Sequence, residues 1–307
     1  MNIYNISDIT IVITCFKEGE LIYRAVDSIL NQTIHGFEIL LINDCSPNLE
    51  TNMVCEHIKK EHENINYHRR EKNGGLSASR NDGFRLMKNK IAVFLDADDT
   101  LPPDVVESIL EAFNREEGIE FVFGNVNIID PITKNSMELL NNEAIANNGY
   151  LDPVKLAHNW ILAGVSPILK ETALKAGGYS SKYTYTVQDV DLWRRVVMMN
   201  AKGGYINKII YNWYRGNEGM NASVKEADYL PLRIDSLPFY DKYNSSYAFK
   251  MRDYIYRYFS SRLMVKDLNE YLEDQKKYYS PMAILKAKLM YIKPLYRALR
   301  IIKNKIK

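Results

Sequence analysis

The stretch IAVFLDADDT, Ile91 to Thr100, runs five apolar residues straight into three carboxylates within four positions. Ile91–Leu95 is short and apolar throughout, which reads as a strand buried on both faces of a parallel sheet. Asp96, Asp98 and Asp99 then leave its carboxyl end, the edge at which open α/β sheets bind ligands. Carboxylates this close repel and raise one another's pKa, a cost that is tolerable at the surface or beside a cation. Mg²⁺ and Mn²⁺ favour carboxylate oxygens and share their shell with ligand phosphates, so one reading is a metal–diphosphate site. The other is an acidic turn, with Asp99 and Thr100 at the start of the next helix.

Working outward, Ile9–Cys15 and Phe37–Ile42 are further buried strands, and Glu120–Val126 is another. Between them, Leu21, Ile22, Ala25, Val26, Ile29 and Leu30 recur at helical spacing. Ser46-Pro47 reads as an N-cap with proline at the first helical position. Gly74-Gly75 opens a helix reaching about Met87, and Thr100 is expected to cap the next, with Pro102-Pro103 in its first turn. This alternation implies an α/β fold with a mostly parallel central sheet and helices on both faces. Residues 127–158 are polar and asparagine-rich and are expected to form a mobile loop region. From about Glu226 the pattern is helical, and half of the 22 tyrosines lie after residue 239. Two domains are expected: 1–225, dividing at about residue 100, and a helical extension, 226–307.

The 307 residues are 46% hydrophobic and 25% charged, ordinary for a globular protein and incompatible with disorder. No apolar run approaches the roughly 20 residues that span a bilayer. MNIYNISDIT lacks the basic region and apolar core of a secretory signal. Cys15, Cys45 and Cys55 fit neither a disulfide framework nor a zinc site. A cytoplasmic setting is therefore expected. Net charge is +2, but eight basic residues and no acidic one fall between Pro281 and Lys307. That leaves the body acidic, which argues against nucleic acid as a partner.

Three other motifs carry chemistry. Asn43-Asp44 ends the second strand; Asp44 suits the imide N–H of uracil, or simply an Asx-type turn. In NGGLSASRN, Asn73–Asn81, the backbone N–H groups around Gly75, together with Arg80, suit anionic oxygens; a plain loop-to-helix turn is the alternative. It is neither a Walker A loop nor GxGxxG. In QDVDLWRR, Gln188–Arg195, Asp189 is either a general base or the acidic start of an amphipathic helix. The five histidines show no metal-ligand spacing.

Together these segments resemble family 2 glycosyltransferases of the GT-A fold. The opening ITIVITCFKEGELIYRAVDSILNQTIHGFEILLINDCSPN, then NGGLSASRNDG, AVFLDADDTLPPD and ALKAGGYSSKYTYTVQDVDLWRRV, occur in that family's order over about residues 8–215. The resemblance implies a nucleotide-binding half over about 1–100 and an acceptor half over 101–225, with Thr14 and Phe16 lining the nucleotide pocket. Asp44 would contact the base and Asp96 the nucleotide near the ribose. Asp98 would hold a divalent metal, Mn²⁺ or Mg²⁺, and Asp189 would be the catalytic base. It implies inverting transfer from a nucleotide-sugar donor, a UDP-sugar, to a hydroxyl of a glycan or lipid-linked glycan in surface polysaccharide synthesis. Asn43 stands where an aspartate is usual, Cys15-Phe16-Lys17 replaces the common turn, Gln188 stands where a glutamate is usual, and Tyr214-Arg215-Gly216-Asn217 lacks a histidine often seen there.

Over Ile284–Ile306, apolar residues recur at steps of three and four among basic ones. This fits an amphipathic helix on an anionic membrane surface, kinked at Pro294, at the inner face of the cell membrane. The alternative is a helix packed on the body or on a second subunit of a homo-oligomer. Two competing functions remain: a nucleotidyltransferase making sugar nucleotides, which would need a basic glycine-rich loop where CFKEGE stands, and a non-catalytic sugar-nucleotide-binding scaffold.

Overall fold

The computed structural model describes residues 3–183, 187–215, 226–262, 264–282 and 284–285. The chain separates into two units, Met1–Leu232 and Arg233–Lys307.

The first unit is built on β1 (Ile9–Cys15), all of whose side chains are buried. Its β-branched run packs well on a pleated surface covered on both sides. β2 (Glu38–Asn43), β3 (Ile65–Arg69) and β4 (Ile91–Asp96) join it in parallel, in the order β3-β2-β1-β4. The chain thus steps outward from β1 to β3 and then returns to the other side of β1. The strand order reverses between β1 and β4, and the carboxyl ends at such a switch point are where open α/β sheets bind ligands. The register fixes what meets there. Thr14 lies opposite Asp96, Cys15 opposite Asn43, and Asn43 opposite Arg69. Phe16, Asp44, Arg70 and Ala97 therefore stand one step past the ends of four adjacent strands.

The crossover helices are α1 (Leu21–Leu30), α2 (Leu49–Glu61), α3 (Gly75–Leu86) and α4 (Val105–Asn114). α1 turns Ile22, Ala25, Val26 and Ile29 inward, and α4 turns Val105, Val106, Ile109 and Phe113 inward. Two helix starts differ from expectation. Ser46-Pro47 precedes α2 rather than capping it; the cap is Asn48, whose side chain accepts the Thr51 N–H at 3.0 Å. Thr100 does not cap α4 either. It bridges to Asn212, and Asp104 holds the cap position.

Beyond β4 the sheet becomes mixed. β5 (Phe121–Ile129) pairs in parallel with β10 (Gly203–Tyr214), and β9 (Ile168–Leu169) runs antiparallel between β4 and β5. Residues 127–158 are not a structureless loop. They hold the end of β5, β6 (Ser136–Leu140), β7 (Ala146–Asn147), β8 (Tyr150–Leu151) and α5 (Pro153–His158). The polarity that suggested a loop belongs to the exposed β6 hairpin and to caps such as Asp152, which accepts the Val154 and Lys155 N–H groups. α6 (Lys170–Lys175) and α7 (Gln188–Met198) follow.

α8 (Glu226–Asp235) leads into the second unit, which holds α9 (Leu237–Tyr243), α10 (Ser245–Ser261) and α11 (Val265–Asp274). There Arg252 is 5% exposed, makes two hydrogen bonds to Asp241 at 2.7 and 2.5 Å, and lies 3.4 Å over the Tyr278 ring. Burial works to raise the Asp241 pKa, but Arg252 and the Tyr278 hydroxyl outweigh it and hold it below the usual range. Except for Ile284 and Leu285, the amphipathic stretch read over Ile284–Ile306 lies outside the described residues, as do Gly216 and Asn217. No helix among the described residues is long and apolar enough to cross a membrane.

Candidate active site

The three acids after β4 have different surroundings. Asp99 is the inward one, 3% exposed. Its carboxylate accepts the Tyr211 hydroxyl at 2.8 Å and the Tyr214 N–H at 2.7 Å, and the Tyr211 oxygen in turn accepts the Asp96 N–H at 3.1 Å. Asp99 thus braces the loop against β10. Burial, with Asp98 and Asp96 adding to it, pushes the Asp99 carboxyl well above the usual range.

Asp96 faces the switch point. Arg80 reaches both its oxygens, at 2.8 and 3.1 Å, and the Thr14 hydroxyl donates to it at 3.3 Å. Arg80 projects from α3 and is only 2% exposed. Burial works against its charge, but Asp96, then Tyr179 and Asp189, outweigh this and hold its pKa above the usual value. Asp98 is half-buried and its carboxylate makes no ion pair among the described residues. Its backbone carbonyl accepts a hydrogen bond from Arg24 of α1, whose guanidinium lies 3.7 Å over the Tyr214 ring. Burial, then the Asp96 and Glu18 charges, push the Asp98 carboxyl up to about 6. Glu18, in the turn after β1, accepts the Phe16 and Lys17 N–H groups, the latter at 2.8 Å. Burial raises its pKa as well.

Asp44 forms a second centre at the end of β2. One oxygen accepts the Gly74 N–H at 3.0 Å and the Arg70 guanidinium, and the other accepts the Gly75 N–H at 2.7 Å. Gly75 has φ +77°, a conformation that favours glycine and turns its N–H onto the carboxylate. Arg70 also binds Asp82 at 2.6 Å. The half-buried Phe16 ring sits on the β1 side of this edge, with the Lys17 ammonium 5.2 Å from its centroid.

Asp189 stands in the first turn of α7, and one oxygen accepts the Val190 N–H at 2.8 Å. Its other oxygen presses on Gly164, where an added Cβ would lie 2.2 Å away. Trp193, one turn on, donates to the Gly164 carbonyl at 3.2 Å, so α7 grips this loop from two successive turns. The charge of Asp189 acts on the same two groups as that of Asp96, Arg80 and Tyr179.

Of the residues singled out from sequence, the structure brings Thr14, Arg80, Asp96 and Asp98 to one crevice and joins Asp44 to Gly75. Asp189 lies within electrostatic range of Arg80. The sequence reading missed Glu18, Arg24, Arg70, Gly164, Tyr179 and Tyr211. Glu18 and Arg70 follow strand ends and were open to the argument used for Asp44. Tyr211 lies within a long strand, where nothing in the pattern separates a buttress from core.

A family model described as "Glycosyl transferase family 2" matches residues 10–167, half of the chain. The chain belongs to glycosyl transferase family 2. Among this family-2 chain's curated relatives is the Bacillus subtilis (strain 168) minor teichoic acid biosynthesis protein GgaB, 22% identical over 93% of this chain and 32% of that protein. Another is an Escherichia coli chondroitin synthase, 25% identical over 72% of this chain and 30% of that protein. The chain spans about a third of the length of these relatives. Among solved structures, S. aureus TarS 1–349 in complex with UDP-GlcNAc is similar over 98% of this family-2 chain and 92% of that chain, with TM-score 0.63 at 11% identity. The likeness shows a shared fold.

Proposed function

We propose that this chain is an inverting glycosyltransferase that moves a sugar from a nucleoside diphosphate, a UDP-sugar, to a hydroxyl of a glycan or lipid-linked glycan in surface polymer synthesis. The observation that carries it is the Asp96–Arg80 pair at the strand switch point, with the Asp98 carboxylate short of positive charge on one side and Asp189 within reach of Arg80 on the other. The TarS structures with UDP and UDP-GlcNAc support the donor class, and relatives named for teichoic acid and chondroitin synthesis support the acceptor class.

A divalent cation fits the donor set. No group of three or more His, Cys, Asp or Glu among the described residues could hold a metal alone. Asp98 and Asp96 instead offer carboxylate oxygens whose mutual repulsion a cation relieves, leaving the remaining positions for diphosphate oxygens and water. When bound, Mn²⁺ or Mg²⁺ supplies Lewis-acid stabilisation of the leaving diphosphate.

The chain's own residues do the rest. Thr14, Phe16 and Asp44 line the nucleoside side; Asp44 has one lone pair left, on Oδ2, after its bonds to Gly74, Gly75 and Arg70 to accept an imide N–H. Arg80 fixes Asp96. Asp189 removes the acceptor hydroxyl proton as that oxygen attacks the anomeric carbon, and a single displacement inverts it. A general base contributes roughly 10²–10⁴-fold. Asp189→Asn should cost about that factor in transfer while leaving UDP affinity within twofold, measured by product formation and by calorimetry. Wild-type transfer by this variant would remove Asp189 from the role. The basic stretch at Ile284–Ile306 is assigned to an anionic membrane surface, which brings the site to a lipid-linked acceptor. Flotation with anionic vesicles should fall when the chain is cut at Ser280; equal flotation rejects the assignment.

A further inference from the structure

α2 carries a second stripe that the sheet does not cover. Thr51, Val54, Cys55 and Ile58 are its buried residues, while Leu49 and Met53, one turn apart, are 73% and 63% exposed. Both line a groove of about 750 Å³ between α1 and α2. Tyr23 of α1 and His57 of α2 tie the two helices across it, hydroxyl to ring nitrogen at 3.2 Å. Glu20, Glu50 and Glu56 line the groove as well, against one full cation, Lys60. None of these three carboxylates makes an ion pair among the described residues. None of the lining residues takes part in the site at the ends of β2 and β4. Exposed apolar side chains beside unpaired carboxylates fit a basic amphipathic segment laid along the two helices.

The chain supplies such a segment. Between Pro281 and Lys307 eight basic residues and no acidic one fall among apolar residues at steps of three and four. No glycine follows Gly219, so this segment has no glycine-rich linker through which to search its own chain. We propose that the α1–α2 groove of one copy takes the basic segment 281–307 of a second copy. Each copy offers one groove and one segment, so reciprocal docking closes a two-fold dimer. The contact does not rest on the sugar-transfer reading. It draws on the same cations as the membrane assignment above, so anionic lipid and the groove compete for the segment, and docking between copies holds where lipid is absent.

Charge exchange between full-length chains tests it. In lipid-free buffer at low salt, light scattering should give the wild-type protein twice the mass of one chain. A groove variant, Glu20→Lys with Glu56→Lys, changes two exposed side chains and should raise the dimer dissociation constant at least about tenfold. A segment variant, Lys293→Glu with Arg297→Glu and Arg300→Glu, should do the same, as should salt at about 1 M in the wild type. An equimolar mixture of the two variants should form a 1:1 complex that neither forms alone, through the intact groove of one chain and the intact segment of the other. Recovery on mixing cannot come from chains that failed to fold. Leu49→Ser with Met53→Ser should weaken the dimer without altering charge. A monomeric wild type, a groove variant that associates as tightly as wild type, or a mixture that forms no complex overturns the proposal.

Discussion

Asp44 and Asp98 leave the same sheet edge, and their surroundings treat charge in opposite ways. Asp44 is 5% exposed, and the protein itself supplies two N–H groups and the Arg70 guanidinium to its carboxylate. Arg24 hydrogen-bonds the Asp98 backbone carbonyl and its charge acts on the carboxylate, but burial and the charges of Asp96 and Glu18 outweigh it. The charge at the end of β2 is balanced by the chain itself, which leaves Asp44 one acceptor site for a neutral donor; the end of β4 is short of positive charge. An acid whose charge its own chain balances gains little from a cation, and an acid left in repulsion is where an external cation gains most.

Stability measurements sharpen this contrast. Asp44→Ala has the largest expected effect. It leaves the Gly74 and Gly75 N–H groups without their acceptor, at about 1–3 kcal/mol each, and Arg70 with Asp82 as its remaining carboxylate, read as a lowered urea midpoint. A loss under about 1 kcal/mol would show that the end of β2 does not depend on the carboxylate. Tyr211→Phe comes next. It removes the hydroxyl joining the Asp96 N–H to Asp99 and leaves both buried, at about 1–3 kcal/mol. The smallest effect has the opposite sign. Asp98→Asn relieves repulsion, so the metal-free protein should gain about 1 kcal/mol at pH 7. The Asp98 pKa is raised from its ordinary 3.8 to about 6 in the folded state. Folding therefore favours its protonated form, and the repulsive penalty is full above pH 6 and fades as pH falls towards 4. The advantage of the asparagine variant should shrink over that window. Destabilisation by Asp98→Asn at pH 7 would place both strand ends in one class.

The same contrast explains what the sequence made legible. β1, β2, β4 and the start of β5 were readable because strands buried on both faces are apolar without interruption. The acids after β2 and β4 were readable because charge directly after such a run must lie at the sheet edge. β3 was harder, since among its five residues only Ile65 is buried. The β6 hairpin was misread as loop because one face of an exposed edge strand carries no hydrophobic period; Met137 and Leu139 lie on the surface among polar residues. Helix starts at Asn48 and Asp104 were displaced by two to four residues from the positions chosen, because several cap-forming residues precede each helix and tertiary bonds select among them.

The central claim is that the carboxylates after β4 hold a diphosphate through a divalent cation. Calorimetric titration of UDP into the wild-type protein and Asp98→Ala, each with Mn²⁺ and with excess EDTA, tests it most directly. The account predicts that chelation weakens wild-type binding at least about tenfold, roughly 1.4 kcal/mol, and leaves the already weak binding of the variant unchanged. Equal wild-type affinity with and without the metal, or the same metal-dependent gain in the variant, would contradict it.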